Sequence, residues 1–464
     1  MKDEHKSFYR DFIKAMQDNN LAIFAGAGLS KAAGFVDWKG LLEEIADDLG
    51  LEIDKEVHDL IAIAQFHENS YGGRSKLNAK ILQEFSQDAE LTENHKILAR
   101  LPIHTYWTTN YDDLIETSLR DAKRIADVKH SISQLSLSRP RRDAIVYKMH
   151  GDKSLPGDAV ITKSDYENYA TDKGPFITAL SGDLVSKLFV FIGFSFADPN
   201  LDYVLSRVRI NLRGKTRHHY YFIKRVLRID PDIIDDADFE YKSKKQALFI
   251  QDLKRFQLQP VYVDSYPEIT SILKEIENLY KKCTVFISGS AEEYLPWSQL
   301  QAQQFIHKLS SRLIQESFRI VNGFGWGIGS AVINGALERI YSKPEKYSED
   351  QLIVKPFPQF GTGEKELDEL WHEYRSSMIE YSGIAIFIFG NKKDPSDSTK
   401  IIKADGVDKE FRIAKAKGLF LIPVNATGWV SADLTEEIKK DDYFLSKKSD
   451  TYQLMEKLFV ILIA

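Results

Sequence analysis

The sequence predicts an α/β protein built on two doubly wound parallel sheets, and three observations carry that expectation. Short apolar runs of strand length alternate along the chain with stretches of helical periodicity, the pattern of parallel strands joined by helices. Several of these runs end in glycine or serine turns, at Gly26, Gly193, Gly289, Gly323 and Gly390. The 464 residues exceed one ordinary core, and the strand-and-turn pattern starts afresh at Cys283. The expected division is therefore residues 1–282 and 283–464, two Rossmann-like domains of which the first carries a helical insert.

Phe8, Phe12, Ala15 and Met16 recur at helical spacing and lead into Leu21-Ala-Ile-Phe-Ala25, a buried strand. Gly26-Ala27-Gly28-Leu-Ser30 follows. Gly26 and Gly28 lack a Cβ, so the backbone can turn tightly and approach a ligand, and Ser30 suits a helix cap or an oxygen-rich ligand. A strand, a Gly-x-Gly turn and a helix start make a site for a pyrophosphate on exposed N–H groups. Taken alone, the segment fits a plain βα turn equally well, because the next glycine is Gly34, off the dinucleotide spacing. Trp38 to Leu49 is an amphipathic helix with Leu41, Leu42, Ile45, Ala46 and Leu49 on one stripe. Residues 55–100 read as the helical insert. His104 to Asn110 is a β-branched and aromatic strand, and Asp112 or Asp113 favours the start of the next helix. Ala144 to Asp152, Lys187 to Ser195, Tyr220 to Ile223 and Gln259 to Asp264 supply further strands, and a polar helix from Ile272 to Lys282 closes the unit.

The second unit repeats the logic. Thr284 to Ser290 is a strand with a Gly/Ser end, followed by a long amphipathic helix from about Pro296 to Glu316, the proline near its first turn. Arg319 to Gly323 is a strand, and Gly323, Gly325, Gly327 and Gly329 form a turn that is entropically costly without a close ligand or a tight bend. Strands at Leu352 to Phe357, Ile384 to Gly390 and Leu419 to Val424 alternate with helices near 365–381 and 407–417. The apolar end, Leu458 to Ala464, reads as a terminal core helix or strand, being too short to span a bilayer.

Composition narrows the function classes. The formal net charge of −6 argues against nucleic acid or an anionic membrane as the main partner. The basic stretches Arg139–Arg142 and Arg213–Arg217 read as solvated loops. One cysteine, Cys283, excludes disulfide scaffolds and cysteine-rich zinc sites within the chain, and it reads as an inert core thiol. The N-terminal residues lead into no signal-peptide run, so a cytoplasmic protein is expected.

In doubly wound sheets ligands collect at the carboxyl ends of strands. Four such ends carry chemistry-bearing residues: Gly26, Gly28 and Ser30; Thr109, Asn110 and Asp112; His150, Gly151 and Asp152; Gly193, Ser195 and Asp198. A neutral imidazole accepts a hydroxyl proton near neutral pH. An asparagine amide holds a water or a ribose hydroxyl through both its ends. Read singly, His150 also fits a structural histidine, and Asn110 to Asp113 a turn and helix cap.

Together and in this order the segments resemble the sirtuin family. Gly26-Ala27-Gly28-Leu-Ser30 with Gly34 is similar to its Gly-Ala-Gly-x-Ser NAD loop, Thr109-Asn110-Tyr-Asp112 to its Thr-Gln-Asn-x-Asp strand end, His150-Gly151 to its catalytic histidine and following glycine, and Gly193-Phe-Ser195 to its late Gly-Thr/Ser-Ser loop. The resemblance implies NAD+ as substrate, Asn110 and His150 as catalytic residues, and Gly26, Ala27, Gly28, Ser30, Asp37, Thr109, Asp112, Gly193 and Ser195 as its binding residues. It implies no metal here, since the chain lacks the four-cysteine zinc module of sirtuin deacylases. The loop after Gly34 also departs, reading Phe35-Val-Asp37-Trp38 in place of Ile-Pro-Asp-Phe-Arg. What remains suits cleavage of the nicotinamide–ribose bond with water as acceptor.

The second unit resembles the SLOG group, on Ser288-Gly289-Ser290, the Gly323 to Gly329 turn, Arg375 and Glu410. An arginine can fork to phosphate and a carboxylate can grip ribose hydroxyls, although read singly Arg375 and Glu410 also fit surface positions on amphipathic helices. The last glycine loop of the group is lengthened here and lacks its glycine-threonine core. The resemblance implies a nucleotide-signal site on Ser288, Gly289, Ser290, Gly325, Gly327, Arg375 and Glu410. In this domain order the chain resembles the effector family of Thoeris anti-phage defence. That implies a bacterial, cytoplasmic NADase activated by a cyclic ADP-ribose isomer from a partner TIR-domain protein, self-associating as a homotetramer without membrane or nucleic acid. Three rivals stand beside it: a protein deacylase, a non-catalytic nucleotide-binding regulator, and a NADase triggered by nucleic acid.

Overall fold

The computed structural model describes residues 3–56, 59–87, 89–196, 198–211, 217–358, 360 and 366–440. The apolar segment Leu458–Ala464 and the basic residues 213–216 lie outside the described residues. The chain forms two compact units, Met1–Glu277 and Asn278–Ala464.

The first unit is one parallel sheet of β1 (Leu21–Ala25), β2 (Thr105–Thr108), β3 (Ala126–Lys129), β4 (Ala144–Lys148), β5 (Leu188–Ile192), β6 (His219–Lys224) and β7 (Leu258–Val263). Its order is β3-β4-β2-β1-β5-β6-β7. β1 and β5 are buried at every position, as apolar runs covered by helices on both faces must be. Ala25 lies level with Thr108 on one side and Ile192 on the other. The strand order reverses between β1 and β5, so the ligand crevice of this fold falls where Gly26 and Gly193 leave the sheet.

The insert is helical, as expected, with helices Leu60–Tyr71, Ser75–Phe85 and Glu93–Arg100. Ile63, Leu77, Ile81 and Phe85 of the insert share a core with Leu41, Leu42 and Ile45 of the helix Trp38–Asp48, and with Tyr111 and Leu114 beyond β2. The insert is thereby anchored beside the carboxyl end of β2. The edge strand β3 has no apolar run to announce it. Its Asp127 pairs with Lys129 and Arg142, and Arg139 donates to the Ala126 carbonyl, so the basic stretch 139–142 fastens this edge.

The second unit holds β8 (Thr284–Ser290), β9 (Arg319–Asn322), β10 (Leu352–Val354), β11 (Ile384–Phe389), β12 (Asn391–Lys393), β13 (Ile401–Lys403) and β14 (Phe420–Pro423). Five of them form a parallel sheet ordered β10-β9-β8-β11-β14, and β12 with β13 makes an antiparallel ribbon out of the lengthened last loop. Two boundaries differ from expectation. The long helix starts at Gln299, beyond Pro296, because Ser298 and Gln301 form a capping box there. β10 stops at Val354, ahead of Pro356, which has no N–H for a ladder. The helix expected near 407–417 runs over Asp405–Ala416, with Glu410 inside it. Cys283 is half-buried just before β8, its Sγ 3.4 Å from the Leu279 carbonyl. Among the described residues no helix is long and apolar enough to cross a membrane.

Candidate functional site

The crevice in the first unit is built by glycines that touch each other. The Gly26 amide donates to the Ile192 carbonyl and the Gly28 amide to the Gly193 carbonyl, each at 2.9 Å. A Cβ on Gly26 would stand 2.4 Å from the Gly193 oxygen, and one on Gly193, whose φ is +68°, 2.2 Å from the Leu29 nitrogen. Gly26, Gly28 and Gly193 therefore let two strand-end turns meet backbone to backbone. The exposed N–H groups expected at Gly26 and Gly28 are satisfied within the protein.

Asn110 locks onto this junction. Its Nδ2 donates to the Gly26 carbonyl at 3.1 Å and to Ser30 Oγ at 2.8 Å. Both amide hydrogens are thus committed, and Oδ1 is the end left to face a ligand. Ser30 lies within the short helix Ala27–Lys31 and receives Asn110 instead of capping a helix. Asp112 Oδ1 accepts the Leu114 amide at 3.1 Å, while its Oδ2 is buried without a hydrogen-bond partner. Asp37 caps the helix Trp38–Asp48 through the Gly40 amide at 3.0 Å and pairs with Lys31 at 2.6 Å. Ala27, Ser30, Asp37, Thr109, Asn110 and Asp112 all line one hollow of about 320 Å³, walled further by Trp38, Leu41, Phe85 and Tyr111. The cavity within it is about 20 Å³, room for about one water.

His150, in the turn after β4, is 1% exposed and does not line that cavity, nor do Gly193 and the exposed Ser195. Its Nε2 lies 3.0 Å from Asp198 Oδ2. The ring stands edge-on to Tyr166 and Tyr169, with centroids 5.4 Å and 6.2 Å away. Asp198 Oδ1 accepts the amides of Asn200 at 2.8 Å and Leu201 at 3.2 Å, at the start of the helix Pro199–Asn211. Burial works against a charge on Asp198, yet the His150 imidazole and these amides hold its carboxyl below the usual range.

Sequence reasoning missed Lys148. It is fully buried, pairs with Asp152 at 2.5 Å and Glu116 at 3.1 Å, and donates to the carbonyls of Tyr111 and Asp112. Burial opposes its charge, but Glu116, Asp152 and Asp112 keep its pKa above the ordinary lysine value. Lys148 therefore binds the turn carrying Asn110 and Asp112 to the turn carrying His150. The signal lay in the period of β4, where Ala144, Val146 and Lys148 share the buried face.

In the second unit, the glycines again serve close packing. A Cβ on Gly289 would stand 2.3 Å from the Ile388 oxygen, one on Gly325 2.1 Å from the Gly289 oxygen, and one on Gly327 1.8 Å from the Ala291 oxygen. Ser288 Oγ donates to Glu410 Oε2 at 2.5 Å, and Arg375 Nε lies 3.6 Å from Glu410 Oε1. Burial raises the Glu410 pKa, against the pull of Ser288 and Arg375. Ser290 Oγ is tied to the Asn391 carbonyl at 3.0 Å. Beside this cluster opens a cavity of about 1140 Å³, which Gly325 and Gly327 line and Ser288, Gly289, Ser290, Arg375 and Glu410 do not. Its walls include Tyr294, Trp297, Phe324, Trp326 and Phe357, aromatic surface that sequence reasoning did not assign. Arg375 reaches this wall by lying over the Phe357 ring at 5.0 Å. Among the described residues no group of three or more His, Cys, Asp or Glu is disposed to hold a metal ion.

Residues 104–247 match the model of the SIR2-like domain, and residues 268–462 that of the Sir2- and TIR-associating SLOG family. Among whole proteins, the chain is 51% identical over 435 residues to the NAD(+) hydrolase ThsA of Bacillus cereus, covering 94% of this chain and 89% of that protein. It is 46% identical to the NAD(+) hydrolase ThsA of Acinetobacter baumannii, over 98% and 95% of the two chains. It is 41% identical to the one of Enterococcus faecium, over 98% and 95%.

Proposed function

The chain belongs to the family of the ThsA NAD(+) hydrolases, and from that premise we propose that its first unit cleaves NAD+ with water to ADP-ribose and nicotinamide. The observation that carries the reading is the Asn110 amide, whose Nδ2 is held by the Gly26 carbonyl and Ser30 Oγ, leaving Oδ1 as its uncommitted end in a residue that lines the hollow together with Asp112. Asn110 orients the ribose and the incoming water, the glycine turns shape the pyrophosphate seat, and His150 takes the proton that the water loses. General base help of this kind contributes about 10²–10⁴-fold. His150→Ala and Asn110→Ala are therefore expected to lower nicotinamide release by about that factor without unfolding the protein; near-normal NAD+ loss in either purified variant would sink the assignment.

The second unit, in this reading, binds a cyclic ADP-ribose isomer in the aromatic cavity beside Arg375 and switches the hydrolase on. The signal comes from a TIR-domain partner during phage infection, and the hydrolase works as a homotetramer in the bacterial cytoplasm, depleting NAD+. What supports this is the match to a SLOG family named for its association with Sir2 and TIR domains, together with a cavity whose aromatic walls offer rings on which a purine can stack. The deciding experiment follows NAD+ and nicotinamide in the purified protein, with and without cyclic ADP-ribose isomers. Nicotinamide release only with an isomer present is expected. Release without it removes the sensor, and no release under any condition removes the hydrolase.

A further inference from the structure

We propose that Asp198 is the positioning residue of His150, fixing which imidazole nitrogen carries the proton so that Nδ1 receives the one lost by the attacking water. The inference rests on the NAD+-cleaving reading above and gives a part to a group that the reading leaves idle.

Asp198 Oδ2 lies 3.0 Å from Nε2, and a carboxylate can only accept there, so it favours the tautomer with the hydrogen on Nε2. In that tautomer Nδ1 is the lone-pair nitrogen; both ring nitrogens are buried without a formed hydrogen bond, and Nδ1 has no carboxylate set against it. The carboxylate is itself fixed: its other oxygen takes two amides at a helix start, where the aligned backbone dipoles favour negative charge. The ring is held edge-on by Tyr166 and Tyr169, and the Tyr169 hydroxyl is anchored on the Met149 carbonyl at 2.9 Å. The Nε2–Oδ2 contact is off the line of a formed hydrogen bond, as such contacts are before substrate tightens a site.

The titratable neighbours of His150 are few in kind. Tyr166 and Tyr169 come from the helix Lys163–Asp172 and stay neutral, because burial raises both phenols well above their ordinary pKa. Lys148 and Asp152, two residues away on either side, are paired with each other. Asp198 is the charge set directly against the ring. As the ribose–nicotinamide bond breaks, its electron pair leaves with neutral nicotinamide. The water oxygen bonds the ribose carbon, its proton passes to Nδ1, and the imidazolium rests on Asp198 until the proton escapes to solvent. The arrangement follows the logic by which a buried aspartate fixes the tautomer of a catalytic histidine.

The test is Asp198→Asn, which keeps an oxygen for the two amides but removes the charge and offers a donor to Nε2. We expect kcat for nicotinamide release from NAD+ to fall by about 10²–10⁴-fold with little change in KM. The acid limb of the pH profile should move to lower pH. In the His150→Ala background the same substitution should cost nothing further. In ¹⁵N spectra of the parent protein His150 should carry its hydrogen on Nε2. Parent-like kcat and pH profile in Asp198→Asn, or a neutral His150 protonated on Nδ1 in the parent, overturns the proposal. The parent spectrum decides even if Asp198→Asn does not fold, and it requires no turnover. Full turnover by His150→Ala would instead overturn the underlying reading of His150.

Discussion

A lysine with no exposed surface must be matched by charge, and Lys148 is matched by Glu116 and Asp152. Lys148→Met would leave both carboxylates buried without their cation. Breaking a buried pair in this way costs about 3–5 kcal/mol. Urea unfolding should register a loss of that order, and a change below 1 kcal/mol, roughly the worth of an exposed pair, would mean the cluster is solvated. The same substitution frees the carbonyls of Tyr111 and Asp112, so turnover is expected to fall along with stability. The place of His150 and Asn110 at strand ends is legible in the sequence, because the runs of β4 and β2 lead directly into them. Lys148 is not, because its meaning depends on a partner in the helix Leu114–Asp121 and on a turn reached only through the sheet. The glycines stand between these cases. Their necessity is legible, but what presses on them is not: Gly26 is fixed by Gly193, far away in sequence, and no local pattern carries that contact.

Strands whose every residue is buried, such as β1, β5 and β11, are recognisable as apolar runs, whereas β3, β12 and β13 are short, partly polar and lie at edges or in a ribbon. How strands are joined is less visible still. His219, on β6, accepts the Phe189 amide of β5 on its Nδ1 at 3.1 Å, so it must stay neutral to serve that junction. Burial brings its pKa down to about 3, with His218 and Arg217 adding to the effect. The unfolded chain takes up this proton below about 6.5, and the folded protein only near its own, lower value. The first unit is therefore fully stabilised above that unfolded value and loses stability as pH falls towards 3, the unfolded state binding more protons throughout. His95, lowered to about 4 by burial against the opposing charge of Asp112, acts in the same direction. Unfolding free energies measured between neutral and acid pH should slope downward, and more weakly in His219→Asn, whose amide oxygen still accepts but does not titrate. An equal slope in that variant would remove His219 from the account. The insert raises a different expectation. Its Phe85 packs on Phe35 at 5.4 Å and Tyr111 at 5.6 Å and closes a cavity too small for a dinucleotide. Phe85→Leu should therefore raise NAD+ loss measured without any cyclic nucleotide; unchanged or lower basal loss with a normal melting temperature would show that the insert is a wall and not a gate.

Across the whole molecule the question is whether two sites on separate units share one free energy. A signal that carries the hydrolase from about 1% to about 99% active must bind the active form about 10⁴-fold better, roughly 5.5 kcal/mol. Such coupling is reciprocal: whatever factor the signal adds to NAD+ affinity, NAD+ adds to signal affinity. His150→Ala makes this measurable, since it is expected to bind NAD+ while consuming it slowly. Calorimetric titration of that variant with NAD+, with and without a saturating cyclic ADP-ribose isomer, gives one ratio. Titration with the isomer, with and without NAD+, gives the other. Equal ratios well above one are expected, and Arg375→Ala should bring both towards one, because it removes the cation poised between Glu410 and the Phe357 wall of the aromatic cavity. Ratios of one in the unsubstituted second unit would mean that the isomer acts on the rate of chemistry or on assembly, for which no such symmetry holds. A homotetramer that tightens on signal would then reveal itself as a concentration-dependent midpoint of activation, since association adds protein concentration to the linkage. The cavity in the first unit has room for about one water, so a closed resting form predicts that NAD+ binds weakly until the signal is present. Tight NAD+ binding by His150→Ala alone would place the switch after binding, in the positioning of the water and of the His150–Asp198 pair.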